Sequence, residues 1–240
     1  MRVDERHRWH VQLTGDPIDL GALAAMFTAP DLRVMRNGDE YFLESAVFET
    51  RATSAEVHQD ARGLLPLLNG TAKVSRPNFR AVAVGTVVLE SDAGTERRHQ
   101  VLSLPTLEVR VDLPPATILV DGQSPERPEA GSLATDRWVK LAVDDPDVAE
   151  ALRIFDGPQN WVNLYKIHEI VRRRADIAGS GWATDTELKL FTWTANHPEA
   201  GGESARHARS GTQPPPDPMT LEQAVGLVRR TLTGWLGSLA

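Results

Sequence analysis

The sequence predicts an α+β protein, with a ferredoxin-like N-terminal half and a small helical bundle as its C-terminal half. Three observations support this prediction: strand-like alternation with two hairpin signals before residue 120, a helix-capping box between the hairpins, and helical periodicity after residue 138. Alternating apolar residues are typical of half-buried strands, whereas apolar residues three and four positions apart indicate amphipathic helices. The 240 residues are enough to bury a substantial core without disulfides.

A strand, a helix and a hairpin are predicted at the start of the chain. Residues 8–14 alternate as a strand does. Asp16-Pro17 predicts a helix start, because Asp suits the N-cap and Pro suits the first helical position. The runs 32–36 and 40–48 flank Asn37-Gly38-Asp39. Because Asn-Gly between two apolar runs is a strong hairpin signal, these runs predict paired strands.

A second helix and a second hairpin follow. Thr53-Ser54-Ala55-Glu56 is a capping box that begins the helix. Asn69-Gly70 predicts the end of this helix, and Pro66 predicts a kink or an early stop. The runs 80–90 and 97–104 are rich in β-formers and flank a Gly-containing turn, so they predict the second hairpin.

The order of these elements sets the predicted organisation. Short alternating runs at 107–111 and 118–120 add strand signals, so the order is β-α-β-β-α-β with an extra strand, the ferredoxin-like arrangement. The segment after residue 120 is rich in Pro, Ser, Gly and Glu, as linkers are. We therefore predict an acidic ferredoxin-like domain over 1–120, a linker over 121–137 and a helical domain over 138–240.

The helical domain is predicted from four helix signals and their apolar faces. The signals are Asp145-Pro146 before a helix to about residue 155, the periodic run 159–174, the capping box Thr184-Asp185-Thr186-Glu187 and the capping box Thr220-Leu221-Glu222-Gln223.

Composition excludes several classes of function. The chain has no cysteine, which excludes disulfides, thiolate catalysis and Cys-based metal sites. Residues 1–150 carry 16 Lys and Arg against 24 Asp and Glu, a formal charge of −8, and residues 151–240 carry +1; the acidic first part argues against broad non-specific nucleic-acid binding. We find no signal-peptide pattern and no apolar run long enough for a membrane span. We therefore expect a cytoplasmic protein that does not bind membranes.

Motifs of the large enzyme classes are absent from the sequence. There is no Gly-x-x-x-x-Gly-Lys-Ser/Thr loop, no Gly-x-Gly-x-x-Gly after a strand, no Gly-x-Ser-x-Gly elbow and no His-Glu-x-x-His. His168, His197 and His207 have no spacing typical of metal ligands, even with Glu169 or Glu203. We therefore expect no metal and no cofactor.

The segment from Ala195 to Met219 is the most distinctive candidate for a site. It concentrates two histidines, two arginines and an asparagine between two helix signals, and long connections in compact domains are usually functional or disordered. The candidate anion-binding residues are Asn196, His197, Arg206, His207 and Arg209.

Three interpretations of these residues remain open. The first is a structural loop, in which the arginines bind carbonyl groups or the acidic first domain. The second is a clamp for an anion or phosphate, because arginine offers a bidentate fork and histidine a donor. The third is acid–base catalysis, as in helical ribonucleases with an Arg-x4–6-His motif. Arg206 and His207 are adjacent in this chain, which departs from that motif.

Other conspicuous residues of the helical half have structural interpretations. His168 lies on the apolar face of its helix and is expected to be a satisfied, partly buried histidine. Arg172-Arg173-Arg174 ends the same helix, where positive charge interacts favourably with the helix dipole. The four tryptophans of this half are expected in the core or at the domain interface. They are Trp161, Trp182, Trp193 and Trp235.

Four pieces of the helical half carry a resemblance to a known group. They are Trp161-Val-Asn-Leu-Tyr-Lys-Ile-His-Glu-Ile, Phe191-Thr-Trp-Thr-Ala-Asn-His-Pro, Ala205-Arg-His and Pro216-Asp-Pro-Met. Through these pieces, and over most of its length, the chain resembles a group of uncharacterised bacterial proteins. The resemblance implies one intact two-part protein and implies no mechanism.

From these observations we predict a non-enzymatic binding or regulatory protein. Its partner would be a protein or a small anionic ligand. The alternative is a phosphodiesterase or nuclease-type enzyme that uses the His/Arg loop 196–209. Ferredoxin-like domains serve many functions, so the fold class does not decide between the two.

Overall fold

The computed structural model describes residues 8–90, 96–99, 132–197 and 213–239. Within these residues, six strands form one sheet in which all neighbours are antiparallel, in the order β2-β3-β4-β1-β5-β6. The strands are β1 (Arg8–Thr14), β2 (Thr28–Ala29), β3 (Leu32–Asn37), β4 (Glu40–Ser45), β5 (Ala83–Glu90) and β6 (Glu96–His99). The described helices are α1 (Pro17–Met26), α2 (Ser54–Ser75), α3 (Ser132–Asp144), α4 (Pro146–Asp156), α5 (Trp161–Arg174), α6 (Asp185–Asn196) and α7 (Leu221–Leu239), with a 3₁₀ turn at Phe48–Thr50.

This order of elements, with strands first and helices later, is that of an α+β protein. The first predicted strand, the helix after Asp16 and both predicted hairpins are present. In the first hairpin, Asn37 pairs with Glu40, so Gly38 and Asp39 form the loop. Gly38 has a φ of 61°, a left-handed conformation that glycine adopts without a steric penalty.

The predicted end of α2 is wrong. The helix passes through Pro66 and through Asn69-Gly70 and ends at Ser75. Tertiary contacts explain the difference. The Asn69 side chain binds the main chain of Val82, and Gly70 allows α4 to approach closely. Residues that resemble a stop signal are used here for packing, and packing overrides local propensity.

The boundary between the two predicted halves differs from the structure. Helix α3 begins at Ser132, inside the predicted linker 121–137. The predicted strands at 107–111 and 118–120 lie outside the described residues, as does 121–131. The described parts share one continuous core, so the two halves are not separate packing units in the described part of the chain.

The core lies between the sheet and the helices. Val11 and Leu43 of the central strands, Leu68 of α2 and Leu152 of α4 are each completely buried. Of the four tryptophans expected in the core or interface, Trp161 and Trp235 are buried and Trp182 is half-buried. The expectation is wrong for Trp193, which is 45% exposed and donates its indole N–H to the Gln213 carbonyl.

Candidate functional site

The structure places two of the five sequence-predicted anion-binding residues. Asn196 is the last residue of α6, and His197 is its C-cap. His197 is buried and its main-chain N–H donates to the Thr194 carbonyl. Arg206, His207 and Arg209 lie outside the described residues. The anion clamp and the phosphodiesterase alternative at this loop therefore stay predictions.

Two of the three arginines at the end of α5 are occupied by internal ion pairs. Arg174 reaches Asp145 at 2.7 Å and Asp147 at 2.9 Å, and Arg173 reaches Asp147 at 3.0 Å. The hydrogen bond from Arg174 holds the pKa of Asp145 below its usual range. These contacts tie the end of α5 to the start of α4, so the two arginines have a structural role.

His168 is buried in an aromatic cluster, as expected. Its ring centroid lies 5.4 Å from that of Phe191 and 6.0 Å from that of Tyr165. Burial, with a smaller contribution from Arg172, lowers the pKa of His168 to about 4. The imidazole is therefore neutral at pH 7 and is part of the packing between α5 and α6.

A groove that sequence analysis missed lies between α2 and β5. It encloses about 420 Å³ and opens to solvent. Residues three, four and eight positions apart face it from α2, because they share one side of the helix. The lining residues are His58, Arg62, Leu65, Pro66 and Asn69 from α2, Val82, Ala83 and Val84 from the β5 side, and Asp156 from the end of α4.

Two polar groups of this groove are already bound within the protein. The Asn69 amide donates to the Val82 carbonyl at 3.0 Å and accepts from the Val82 N–H at 3.2 Å. The Asp156 carboxylate pairs with Lys73 Nζ at 2.8 Å, and both side chains are less than one-fifth exposed. Asn69 fixes β5 against α2, and Lys73 fixes α4 against α2. These residues shape the groove.

The other two polar side chains of the groove have no partner in the described part of the chain. Arg62 is exposed and makes no ion pair with a described carboxylate. His58 is 8% exposed, and its ring makes no hydrogen bond to a described residue. Burial, and then the charge of Arg62, lowers the pKa of His58. His58 is therefore a neutral imidazole at pH 7, with one donor and one acceptor.

Comparison with known proteins identifies no relative of this chain. No family model, no curated protein and no solved structure matches the chain. The resemblance to uncharacterised bacterial proteins therefore stays an expectation, and the site is argued from its own geometry.

The groove has the chemistry of a binding site. A fixed guanidinium charge lies beside a neutral imidazole on a partly apolar wall. None of the lining residues carries a hydroxyl or a thiol, and the one lining carboxylate is paired with Lys73. A nucleophile activated by a neighbouring base, as in covalent catalysis, is therefore not formed by these lining residues.

A second hollow, of about 440 Å³, lies beside Trp182. Two of its three charged lining residues, Arg230 and Glu187, are occupied, because Arg230 donates to Glu187 at 2.7 Å and to the Trp182 carbonyl at 2.8 Å. Glu187 also caps α6 through Thr184. This hollow therefore offers a ligand no unpaired charge from Arg230 or Glu187.

Two further observations concern metals and membranes. Within the described ranges, no three His, Asp or Glu side chains lie close enough together to hold a metal ion. None of the helices in the described part of the chain has both the length and the apolar composition of a membrane span.

Proposed function

We propose that this protein is a non-enzymatic binding protein for a small anionic ligand, which it holds in the groove between α2 and β5. The observation that carries the proposal is the pair His58 and Arg62. Both face the groove, and neither has a hydrogen-bonding or ion-pairing partner among the described residues. Because no hydrogen bond or ion pair within the described residues holds these two side chains, their donors are available to a ligand that enters the groove.

The groove favours an anion because of its charges. Arg62 supplies a planar fork of donors that matches a carboxylate or a phosphate. His58 supplies one further N–H donor. The carboxylate of Asp156 is neutralised by Lys73, so it does not cancel the charge of Arg62. A ligand that enters the groove therefore meets one uncompensated positive charge.

For the fold we propose a ferredoxin-like N-terminal unit with a helical bundle packed against it. The support is the order β5-β1-β4-β3 within the sheet. When two split βαβ units interleave, the first and third strands lie in the centre and the fourth and second lie outside. A cytoplasmic location remains part of the proposal.

Thermal-shift measurements with simple anions test the proposed site. The probes are inorganic phosphate, acetate and hexanoate, added to the full chain and to Arg62→Gln. Arg137→Gln is the matched control, because Arg137 is an exposed arginine of α3 outside the groove. A probe at a hundred times its Kd stabilises the native state by about 2.7 kcal/mol.

We expect at least one probe to raise the melting temperature of the wild type and of Arg137→Gln, with no rise in Arg62→Gln. A rise that persists in Arg62→Gln would place the anion elsewhere and reject the groove. The absence of any rise across the three probes would reject the proposal as a whole.

A further inference from the structure

We infer that the ligand of the groove between α2 and β5 is a monocarboxylate with an apolar body. This inference rests on the proposed function, since it specifies the chemistry of the ligand at the same site. It follows from two features of the groove: its single uncompensated charge and the apolar residues that line part of its walls.

The charge of the groove matches a ligand that carries one negative charge. Arg62 is the uncompensated cation, and His58 is too buried to add a second positive charge near pH 7. Lys73 is already paired with Asp156, so it adds no second free positive charge for a ligand in the groove. A phosphate monoester carries about −1.5 to −2 at pH 7, which exceeds the charge of Arg62. A carboxylate carries one charge, and both of its oxygens fit the guanidinium fork.

The walls of the groove match an apolar body. Leu65 and Pro66 face it from α2, and Val82, Ala83 and Val84 face it from the β5 side. The amide of Asn69 uses its oxygen and one N–H on the main chain of Val82. Small-molecule sites are mostly apolar with a few placed polar groups, and 420 Å³ lies within their usual range of size.

The positions of Arg62 and His58 on α2 set the orientation of such a ligand. The two side chains are four residues apart on α2, so they lie one above the other on the same helix face. Leu65 and Pro66 lie on the next turn of the helix. The carboxylate therefore binds at the Arg62 and His58 end, and the apolar body extends along α2 past Leu65 and Pro66.

Calorimetric titration of the full chain tests this inference. The probes are hexanoate, acetate, hexanol and inorganic phosphate, which separate the contributions of charge and apolar body. The variants are Arg62→Gln and Val84→Thr, because threonine keeps the shape of valine and adds a hydroxyl to the apolar wall. Val143→Thr is the matched control, since Val143 is 71% exposed and does not line the groove.

We expect hexanoate to bind at least about tenfold more tightly than acetate, since burial of methylene groups adds affinity. Hexanol and phosphate should bind more weakly than hexanoate. Val84→Thr should weaken hexanoate roughly fivefold and leave acetate unchanged, because a hydroxyl in the wall disfavours the apolar body alone. Val143→Thr should leave all four probes unchanged.

The outcomes separate this inference from the proposed function. If acetate and phosphate bind through Arg62 as tightly as hexanoate does, the anion site stands and the apolar body is rejected. If hexanol binds as tightly as hexanoate, the carboxylate is rejected. If hexanoate binds equally well to Arg62→Gln, or no probe binds, both the inference and the proposed groove are rejected.

Discussion

Gly70 of α2 packs directly against the main chain of Leu152 of α4. A methyl group on the Cα of Gly70 would overlap the Leu152 carbonyl oxygen, far inside van der Waals contact. Both residues lie within helices, so the contact joins two helix backbones. Neither helix shifts easily to make room for an added atom. Glycine within a helix is unfavourable relative to alanine, and here the close approach of α4 explains its presence.

We predict that Gly70→Ala destabilises the protein by about 1–3 kcal/mol, because the added methyl group forces α2 and α4 apart. Gly63→Ala is the control in the same helix, since nothing lies within 4 Å of its added methyl group. It should stabilise the protein by about 0.4–1 kcal/mol. Urea unfolding of both variants measures the two effects. Equal stability changes of the same sign would show that helix propensity, and not the contact with Leu152, governs Gly70.

Asn69 makes two hydrogen bonds to the main chain of Val82 and so replaces a missing strand partner there. Asn69→Ala leaves a buried N–H and a buried carbonyl without partners, and we expect a loss of about 2–3 kcal/mol in the free energy of unfolding. Asn163→Ala is the control, because its half-buried side chain donates one bond, to the Pro158 carbonyl. A similar small change in both variants would argue against the role of Asn69.

Thr194 joins α6 to the start of α7, since its hydroxyl accepts a hydrogen bond from the Met219 N–H at 3.2 Å in a buried position. Thr194→Val keeps the shape but leaves that N–H unpaired, with an expected cost of about 1–3 kcal/mol. Thr192→Val is the control on the same helix, where the hydroxyl bonds only to carbonyl groups of the preceding turn. Thermal unfolding in which Thr192→Val is the more damaging change would contradict this prediction.

Local signals in the sequence were sufficient for most helix starts. The capping boxes at Thr53 and Thr184 form as predicted, because each depends on side chains only three residues apart. The end of α2 was missed because Asn69 and Gly70 have partners in Val82 and Leu152, which are distant in sequence. Such contacts are decided by tertiary packing and leave no local pattern.

The groove was missed for a related reason. His58 and Arg62 are four residues apart and share a helix face, and this spacing is recognisable from the sequence alone. Their position opposite Val84 depends on β5 lying next to β1 under α2, and that follows from the topology of the sheet. The sequence also draws attention to Pro66 as a helix breaker, whereas the structure retains it within α2 as part of the groove wall.

His168 makes the stability of the protein depend on pH in a defined direction. Its pKa in the folded state is about 4, below the ordinary value of 6.5, because burial disfavours the charged ring. The unfolded chain therefore binds more protons than the folded chain between these values. The stabilisation is fully present above about pH 6.5 and is lost as the pH falls toward 4. The lowered pKa of His58 acts in the same direction.

We predict that the free energy of unfolding falls between pH 7 and pH 5, and that His168 accounts for about 2 kcal/mol of the fall. In His168→Gln that part disappears, since glutamine does not titrate. The fall in the free energy of unfolding that remains is due to His58 and other titrating groups. Urea unfolding of both proteins at the two pH values measures the difference. The carboxylates with lowered pKa values contribute mainly below this window, so they do not mask the effect. If the free energy of unfolding falls by the same amount in His168→Gln as in the wild type, His168 gains its proton as readily in the folded state as in the unfolded state. The aromatic cluster then does not exclude the charged ring.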